Sequence, residues 1–116
     1  MTPSDNQPFP DFIKNFPLAD VKGAAITCHL VKNPHGQVVF FELPAGQAIP
    51  PHRHGVQWGI VVQGEMELTI EGDTQICKRG DTYYIPDQAM HSARVRVDTH
   101  TVSAFADPDR YREKIG

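Results

Sequence analysis

The chain has 116 residues, a formal net charge of −3 at pH 7 and 22% charged residues. This length suits one domain with a single closed core and is too short for two. The weakly acidic balance gives no electrostatic reason to expect a nucleic-acid partner, and no run of Lys and Arg is long enough to form a membrane-surface patch. We recognise neither a signal peptide nor an apolar run of bilayer length, so a cytoplasmic protein is expected.

The first 20 residues are predicted to form an N-terminal arm. Prolines interrupt any long helix there, although residues 11–16 could form one short turn. An apolar stripe lies on one side of this turn and consists of Phe9, Phe12, Ile13 and Phe16. A stripe this small cannot fold alone, so we expect the arm to pack on the main domain or on a partner subunit.

The remainder, residues 21–116, is predicted to be a single all-β domain. Short runs rich in β-branched and aromatic residues alternate with turn residues, a spacing that favours a β-sandwich or barrel over βαβ units. We predict strands at 24–32, 38–43, 65–71, 74–78, 82–85, 91–97 and 99–105, strand structure within 46–64, and a short C-terminal helix over 108–115. Cys28 and Cys77 are expected to be small apolar strand residues, since two cysteines make no disulfide framework without an export signal.

Three histidines could share a metal ion. His52 and His54 lie one residue apart in the stretch 46–64, and side chains at i and i+2 of a β-strand point to the same face. His91 could reach the same place from another strand, after Pro86 and a tight turn. The remaining histidines fit no ligand spacing and are expected in a turn or on strands; they are His29, His35 and His100.

The same stretch predicts an apolar outer face. If the histidines and Gln57 point inward, the alternate residues Trp58, Ile60 and Val62 point outward. Monomers rarely leave such a patch bare, so the arm or a partner subunit should cover it. We predict a homodimer; the alternative is that Trp58 packs beneath a local loop.

Two segments resemble the paired motifs of the cupin family. The first motif, Gly-x5-His-x-His-x3,4-Glu-x6-Gly, is matched by Gly46, His52, His54, Gln57 and Gly64. The second, Gly-x5-Pro-x-Gly-x2-His-x3-Asn, is matched by Gly80, Pro86 and His91. The chain departs from these motifs at Gln57, where the family usually has Glu, and at Gln88 and Val95, which replace the inner Gly and the final Asn.

This resemblance implies a double-stranded β-helix, the cupin jelly-roll barrel, with a metal near one mouth. It implies that a divalent transition metal (Zn, Ni, Fe or Mn) is held by His52, His54, Gln57 and His91. A neutral Gln57 leaves the site one charge more positive than Glu would, which makes the metal a stronger Lewis acid. Open coordination positions are typical of catalytic rather than structural sites.

Within the family, the chain is similar to pectin-degradation cupins of the KdgF type. The similarity lies in the Gln-Trp-Gly run that begins at Gln57 and in the Gly-Asp-Thr-Tyr-Tyr-Ile-Pro run over 80–86. It implies an enzyme that converts unsaturated uronates, which are sugar acids, to linear keto forms. The acid that this group carries near its C-terminus is missing here, but Asp107 and Arg110 follow. Asp107 or a Tyr of the 83–84 pair, Tyr84 in particular, could move protons, and Arg110 could hold a carboxylate.

Two alternatives share the same fold and site. The first is an Fe-dependent cupin dioxygenase, and the second is a non-catalytic module that binds a sugar or another small ligand. All three hypotheses have a small molecule as the partner, and none requires a nucleic acid or a membrane.

Overall fold

The computed structural model describes residues 7–21 and 25–114, and nearly all of its regular structure is β. One short helix, α1, spans Asp11–Lys14. The nine strands of the described residues are β1 (Thr27–Asn33), β2 (Gly36–Leu43), β3 (Ala48–His52), β4 (Gln57–Gln63), β5 (Glu65–Ile70), β6 (Asp73–Lys78), β7 (Thr82–Ile85), β8 (His91–Val95) and β9 (Thr99–Phe105). No helix among these residues is long and apolar enough to span a membrane.

The strands form two antiparallel sheets that enclose the core. One sheet has the order β1-β2-β9-β4-β7 and the other the order β3-β8-β5-β6. Strand burial alternates as expected when one face is packed; in β2 every second residue is buried. Cys28 and Cys77 are free, buried core residues, and burial raises the pKa of the Cys28 thiol to about 12. The predicted all-β jelly roll is therefore confirmed.

The described part of the arm lies along the first sheet. Phe9 is buried and makes edge-on contacts with the rings of Phe40 and His100 at 5.7 and 5.3 Å. Leu18 forms an isolated bridge with His29 at the edge of β1. His29 and His100 are thus buried beneath or beside the arm and lie outside the histidine cluster.

The predicted C-terminal helix over 108–115 is wrong for the residues that the structure describes, 108–114. This segment instead forms turns, because the buried side chain of Gln37 forms hydrogen bonds with backbone groups of the segment. The Gln37 amide donates to the carbonyl oxygens of Pro108 (2.9 Å) and Tyr111 (3.0 Å), and its oxygen accepts the Tyr111 N–H (3.2 Å). Further along, Lys114 N–H donates to Leu18 O at 2.7 Å. A helix would forfeit these hydrogen bonds.

The stretch 46–64 is two strands of different sheets rather than one. β3 ends at His52, residues 53–56 form a loop, and β4 begins at Gln57 in the opposite sheet. His54 therefore reaches the cluster from a loop and not from strand alternation, which corrects the strand argument for the His52–His54 pair. The stretch ends at Gly64, where φ is +102° and a Cβ would press on the Asp98 carbonyl oxygen at 2.6 Å, so only glycine fits the turn into β5.

Gln88 occupies a strained backbone position where the cupin motif has glycine. Its φ is +61°, a left-handed conformation that costs a residue with a Cβ about 1–2 kcal/mol. The position is fixed because Gln88 N–H donates to His54 O at 2.8 Å. This hydrogen bond joins the turn before β8 to the loop that carries His54.

We expect Gln88→Gly to stabilise the protein by about 0.5–1 kcal/mol. Relief of the left-handed strain outweighs the additional unfolded-state entropy of glycine, which is about 0.4–1 kcal/mol. The matched control is Gln75→Gly at an exposed position of β6. This substitution should lower the free energy of unfolding by about 0.5–1 kcal/mol. Urea denaturation of both variants measures the difference, and equal losses in the two would contradict the strain assignment.

Candidate metal centre

The three predicted histidines converge at one place between the sheets. His52 and His91 are directly opposite each other in the β3–β8 pair, where a β-bulge lies between Ile49 and His52. The ring centroids are 4.2 Å apart for His52 and His91, 4.6 Å for His54 and His91, and 5.2 Å for His52 and His54. One ring nitrogen from each lies within 4.8 Å of the others, close enough for all three to bind one ion.

Backbone carbonyls fix the tautomer of each ring. Nδ1 of His52 and of His91 lies 3.0 and 2.9 Å from the carbonyl oxygen two residues earlier, and Nδ1 of His54 lies 2.7 Å from the carbonyl oxygen of the next residue. A carbonyl oxygen only accepts, so each Nδ1 carries the proton and donates it. The lone pair is then on Nε2 in all three rings, which is the outer-shell arrangement of metal-bound histidines.

Burial disfavours the charged form of two of the three imidazoles. The pKa of His54 is lowered to about 4, chiefly by desolvation and also by the nearby Arg110, against the hydrogen bond at Gly55, which favours the charged ring. Desolvation also lowers the pKa of His91. These two imidazoles are uncharged at pH 7, and a metal ion requires the neutral form. The donor set therefore fits a transition metal.

Gln57 comes from the opposite sheet and lines the same cavity as the histidines. Its side chain is buried, and its Nε2 donates to Ser103 Oγ at 3.1 Å. Because the amide nitrogen of Gln57 donates to Ser103, the amide oxygen remains free to bind another partner. A carbonyl oxygen binds metals and an amide nitrogen has no free lone pair, so the observed orientation is the one that a ligand needs.

The cluster opens into a cavity of about 750 Å³, a volume typical of small-molecule sites. Its walls are largely apolar and include Phe41, Leu43, Met66, Leu68, Ile85 and Phe105. The charged side chains that line it are Asp20, Asp109, Arg110 and Arg112. Such a cavity suits a small molecule with one acidic group better than a highly charged one.

Arg110 is the charged residue best placed to bind an anion. Its guanidinium stacks 4.2 Å from the Tyr111 ring and 5.7 Å from the Phe105 ring. Its Nε is buried without a hydrogen-bond partner, and no salt bridge involves it among the described residues. A buried, unpaired donor of a guanidinium is costly unless a carboxylate or similar group accepts from it.

The other two predicted catalytic residues are not brought into the cavity. Tyr84 is 57% exposed on the outer face of β7, and Asp107 is exposed, with Oδ1 accepting the Asp109 N–H at 2.8 Å. The neighbouring residues Tyr83 and Asp109 line the cavity instead. Side-chain alternation in β7 could have identified Tyr83 as the inward tyrosine, because residues 83 and 85 share a face and the apolar Ile85 is expected to point inward.

Comparison with known proteins identifies the family of the fold. The Cupin domain model matches residues 39–105, while no curated protein sequence matches the chain. The structure of KdgF from Halomonas sp. is 27% identical, covers 79% of this chain and 86% of its own, and superimposes with a TM-score of 0.70.

More distant structures share the fold. An RmlC-like cupin from Shewanella frigidimarina is 20% identical over 95% of this chain and 96% of its own, with a TM-score of 0.73. A mutant of salicylate 1,2-dioxygenase from Pseudoaminobacter salicylatoxidans in complex with gentisate is 17% identical over 82% of this chain but 30% of its own, with a TM-score of 0.69. The family model covers more than half of the sequence, and the three histidines meet beside a cavity, so this chain belongs to the cupin family.

Proposed function

We propose that the protein is a metal-dependent enzyme that acts on a small carboxylic acid. The observation that carries this proposal is that Arg110, whose buried Nε has no hydrogen-bond partner, and three histidines with bare Nε2 atoms line one cavity. His52, His54, His91 and Gln57 would hold a divalent metal such as Zn, Ni, Fe or Mn. When bound, the metal supplies Lewis acidity toward a substrate oxygen.

The side chains of the cavity have separable roles in this proposal. Arg110 binds the substrate carboxylate through paired N–H donors, held in place by its stacking on Tyr111. The apolar walls exclude water, which strengthens these electrostatic contacts. Asp20 and Asp109 line the cavity and are the acidic groups that we assign to proton transfer, the role that the sequence suggested for Asp107. Asp109 also pairs with Lys32 at 3.4 Å, so of the two Asp20 is the acid without an ion pair among the described residues.

Unsaturated uronates are the substrate class that we favour. The Gln-Trp-Gly run that begins at Gln57 and the run over 80–86, which resemble those of KdgF-type cupins, support this choice, together with the 27% identity to KdgF from Halomonas sp.. Conversion of such a uronate to its linear keto form is an isomerisation, because ring opening and movement of the enol proton to carbon add and remove no atom. The reaction needs no oxidant or co-reactant, only a polarised oxygen and a group that moves a proton.

The test is a direct assay with the full chain. Purified protein loaded in turn with each candidate metal is mixed with an unsaturated uronate, and the absorbance of the conjugated double bond is followed. We expect a metal-dependent loss that stops after chelation and returns with added metal. A loaded protein that leaves the absorbance unchanged contradicts the uronate assignment, and saturable binding without turnover would indicate the non-catalytic module.

A dioxygenase is the second candidate, and the apolar walls of the cavity favour it. Leu43, Met66 and Leu68 offer little to the hydroxyl groups of a sugar but suit the ring of an aromatic acid. Such an enzyme with Fe(II) would consume one O₂ per substrate and insert both oxygen atoms. Oxygen uptake by the Fe(II)-loaded protein with gentisate would support this candidate, and its absence together with uronate turnover would reject it.

We further propose that the protein is a homodimer that buries the outer face of β4 and β7. Trp58 is 43% exposed there and lies opposite the exposed Tyr84 in the strand register. The described part of the arm, residues 7–20, covers Phe40 and His100 of the same sheet and makes no aromatic contact with Trp58. Large exposed aromatics grouped on a flat sheet face are typical of protein interfaces.

Trp58→Glu is expected to give a monomer. A buried tryptophan at the centre of an interface contributes about 2 kcal/mol or more to binding. Its replacement by a charged side chain should therefore raise the dimer dissociation constant by about 30-fold or more. The control is Ile76→Glu on β6 of the other sheet, a residue of similar exposure, which should leave the dimer intact. Sedimentation over a range of concentrations measures both, and a monomeric wild-type protein would contradict this interface.

A further inference from the structure

We infer that Ser103 and Tyr83 are positioning residues that hold the Gln57 amide with its oxygen toward the histidine cluster. This inference rests on the proposed role of Gln57 as a metal ligand and adds what makes that role possible. Three neighbouring strands contribute to the arrangement, since β4 lies between β7 and β9. The three side chains form a buried chain of hydrogen bonds from Gln57 to Ser103 and from Ser103 to Tyr83.

The distances define that chain. Gln57 Nε2 lies 3.1 Å from Ser103 Oγ, and Tyr83 Oη lies 3.0 Å from the same Oγ. Ser103 is fully buried, and Gln57 and Tyr83 are nearly so. Buried polar groups without partners are costly, so each member of the chain depends on the others.

Gly59 makes room for the tyrosine. It is the cross-strand partner of both Tyr83 on β7 and Ser103 on β9. A Cβ at this position would overlap the Tyr83 ring. The phenol therefore lies across the bare backbone of Gly59, which lets its hydroxyl reach the adjacent strand. The same glycine follows Trp58 in the Gln-Trp-Gly run, so its place in the sequence has a structural reason.

The polarity of the chain selects one orientation of the amide. Ser103 Oγ accepts from Gln57 Nε2, so the Ser103 hydroxyl proton is available to Tyr83 Oη, and Ser103 presents a lone pair to Gln57. That lone pair accepts from the amide nitrogen and repels the amide oxygen, so the oxygen must face the cavity. A flipped amide would present an N–H to the cluster, and an N–H cannot bind a metal.

The consequence is a graded effect of three substitutions on metal binding. Ser103→Ala removes the acceptor and lets the amide rotate, so we expect the affinity for Co²⁺ to fall about 10- to 100-fold, as for other outer-shell residues. Tyr83→Phe leaves Ser103 in place but frees its proton, so the two amide orientations compete and the affinity falls about 2- to 10-fold. Gln57→Ala removes the ligand itself and sets the reference.

The experiment titrates each metal-free variant with Co²⁺ and records both the affinity and the visible ligand-field spectrum. Tyr84→Phe is the matched control, because Tyr84 is the exposed neighbour of Tyr83 and faces away from the cavity. Thermal unfolding of the metal-free variants detects any general loss of stability. Support for the inference is a Ser103→Ala spectrum shifted in the same direction as that of Gln57→Ala, with Tyr83→Phe between them and the wild type, and Tyr84→Phe unchanged.

Two results would overturn it and are distinguishable. If Gln57→Ala weakens Co²⁺ binding while folded Ser103→Ala and Tyr83→Phe bind as the wild type does, Gln57 is a ligand but needs no positioning, and only this inference fails. If Gln57→Ala keeps the wild-type affinity and spectrum, Gln57 is not a ligand, and the proposed four-residue metal site fails with it.

Discussion

Replacement of His91 by alanine is expected to lower metal affinity more than about 100-fold, because removal of a direct ligand should exceed the 10- to 100-fold cost of outer-shell changes. His91 begins β8 and pairs with His52, and its ring lies 4.2 and 4.6 Å from the rings of His52 and His54. Its loss leaves two Nε2 donors from a loop and a strand end. Isothermal titration of the metal-free protein with Zn²⁺ measures the change.

The matched control for this prediction is His35→Ala. His35 is exposed in the β1–β2 turn, away from the cluster, so its removal should leave Zn²⁺ binding unchanged. Equal affinities of wild type and His91→Ala would show that the ion binds elsewhere. A similar loss in His35→Ala would show that the titration reports surface histidines rather than the cluster.

Arg110→Gln is expected to lower kcat/KM for an unsaturated uronate about 10- to 100-fold. A hydrogen bond to a charged group contributes about 1.5–3 kcal/mol, and no carboxylate among the described residues forms a salt bridge with Arg110 that could replace the substrate. Steady-state kinetics of the metal-loaded variants measures the change. Metal affinity should not fall, because the positive Arg110 disfavours charge in the cluster rather than supporting it.

Two further variants sharpen this test. Arg110→Lys keeps the charge but loses the paired donors and the stacking on Tyr111, so it should recover only part of the activity. Arg94→Gln, at an exposed position of β8, should behave as the wild type. An Arg110→Gln enzyme with unchanged kcat/KM would remove Arg110 from the substrate site.

Strand patterns made most of the fold predictable. The alternation of Met66, Leu68 and Ile70 in β5 and the turn glycines marked the strands to within a few residues, because one face of each strand must enter the core. The outward position of Trp58 followed from the same alternation and is confirmed by its exposure. These features depend on neighbours in the sequence, which is why the sequence reveals them.

Features that depend on distant partners were not predictable. The helix expected over 108–115 gave way to turns because Gln37, on β2, supplies hydrogen bonds to that segment. The break at 53–56 depends on which sheet each half joins, and no local pattern reports this. The sequence also did not separate the two tyrosines of the 83–84 pair; Tyr83, bonded to Ser103, lines the cavity, and Tyr84 lies on the outer face.

Gln57 links both kinds of feature. Its position in the sequence predicts that it is a ligand. We infer that its orientation depends on Ser103, which is 46 residues away in the sequence but lies on the adjacent strand of the sheet. The cupin motif therefore predicts which residues could hold a metal, and the hydrogen bonds around them indicate which atoms would bind it.

The most direct test of the metal centre is elemental analysis of the purified full chain after equilibrium dialysis against Zn, Ni, Fe(II) and Mn salts. The arrangement of His52, His54, His91 and Gln57 predicts that the protein retains one equivalent of at least one of these metals per chain. A folded protein that retains none of them would contradict the metal centre, and with it the proposed enzyme.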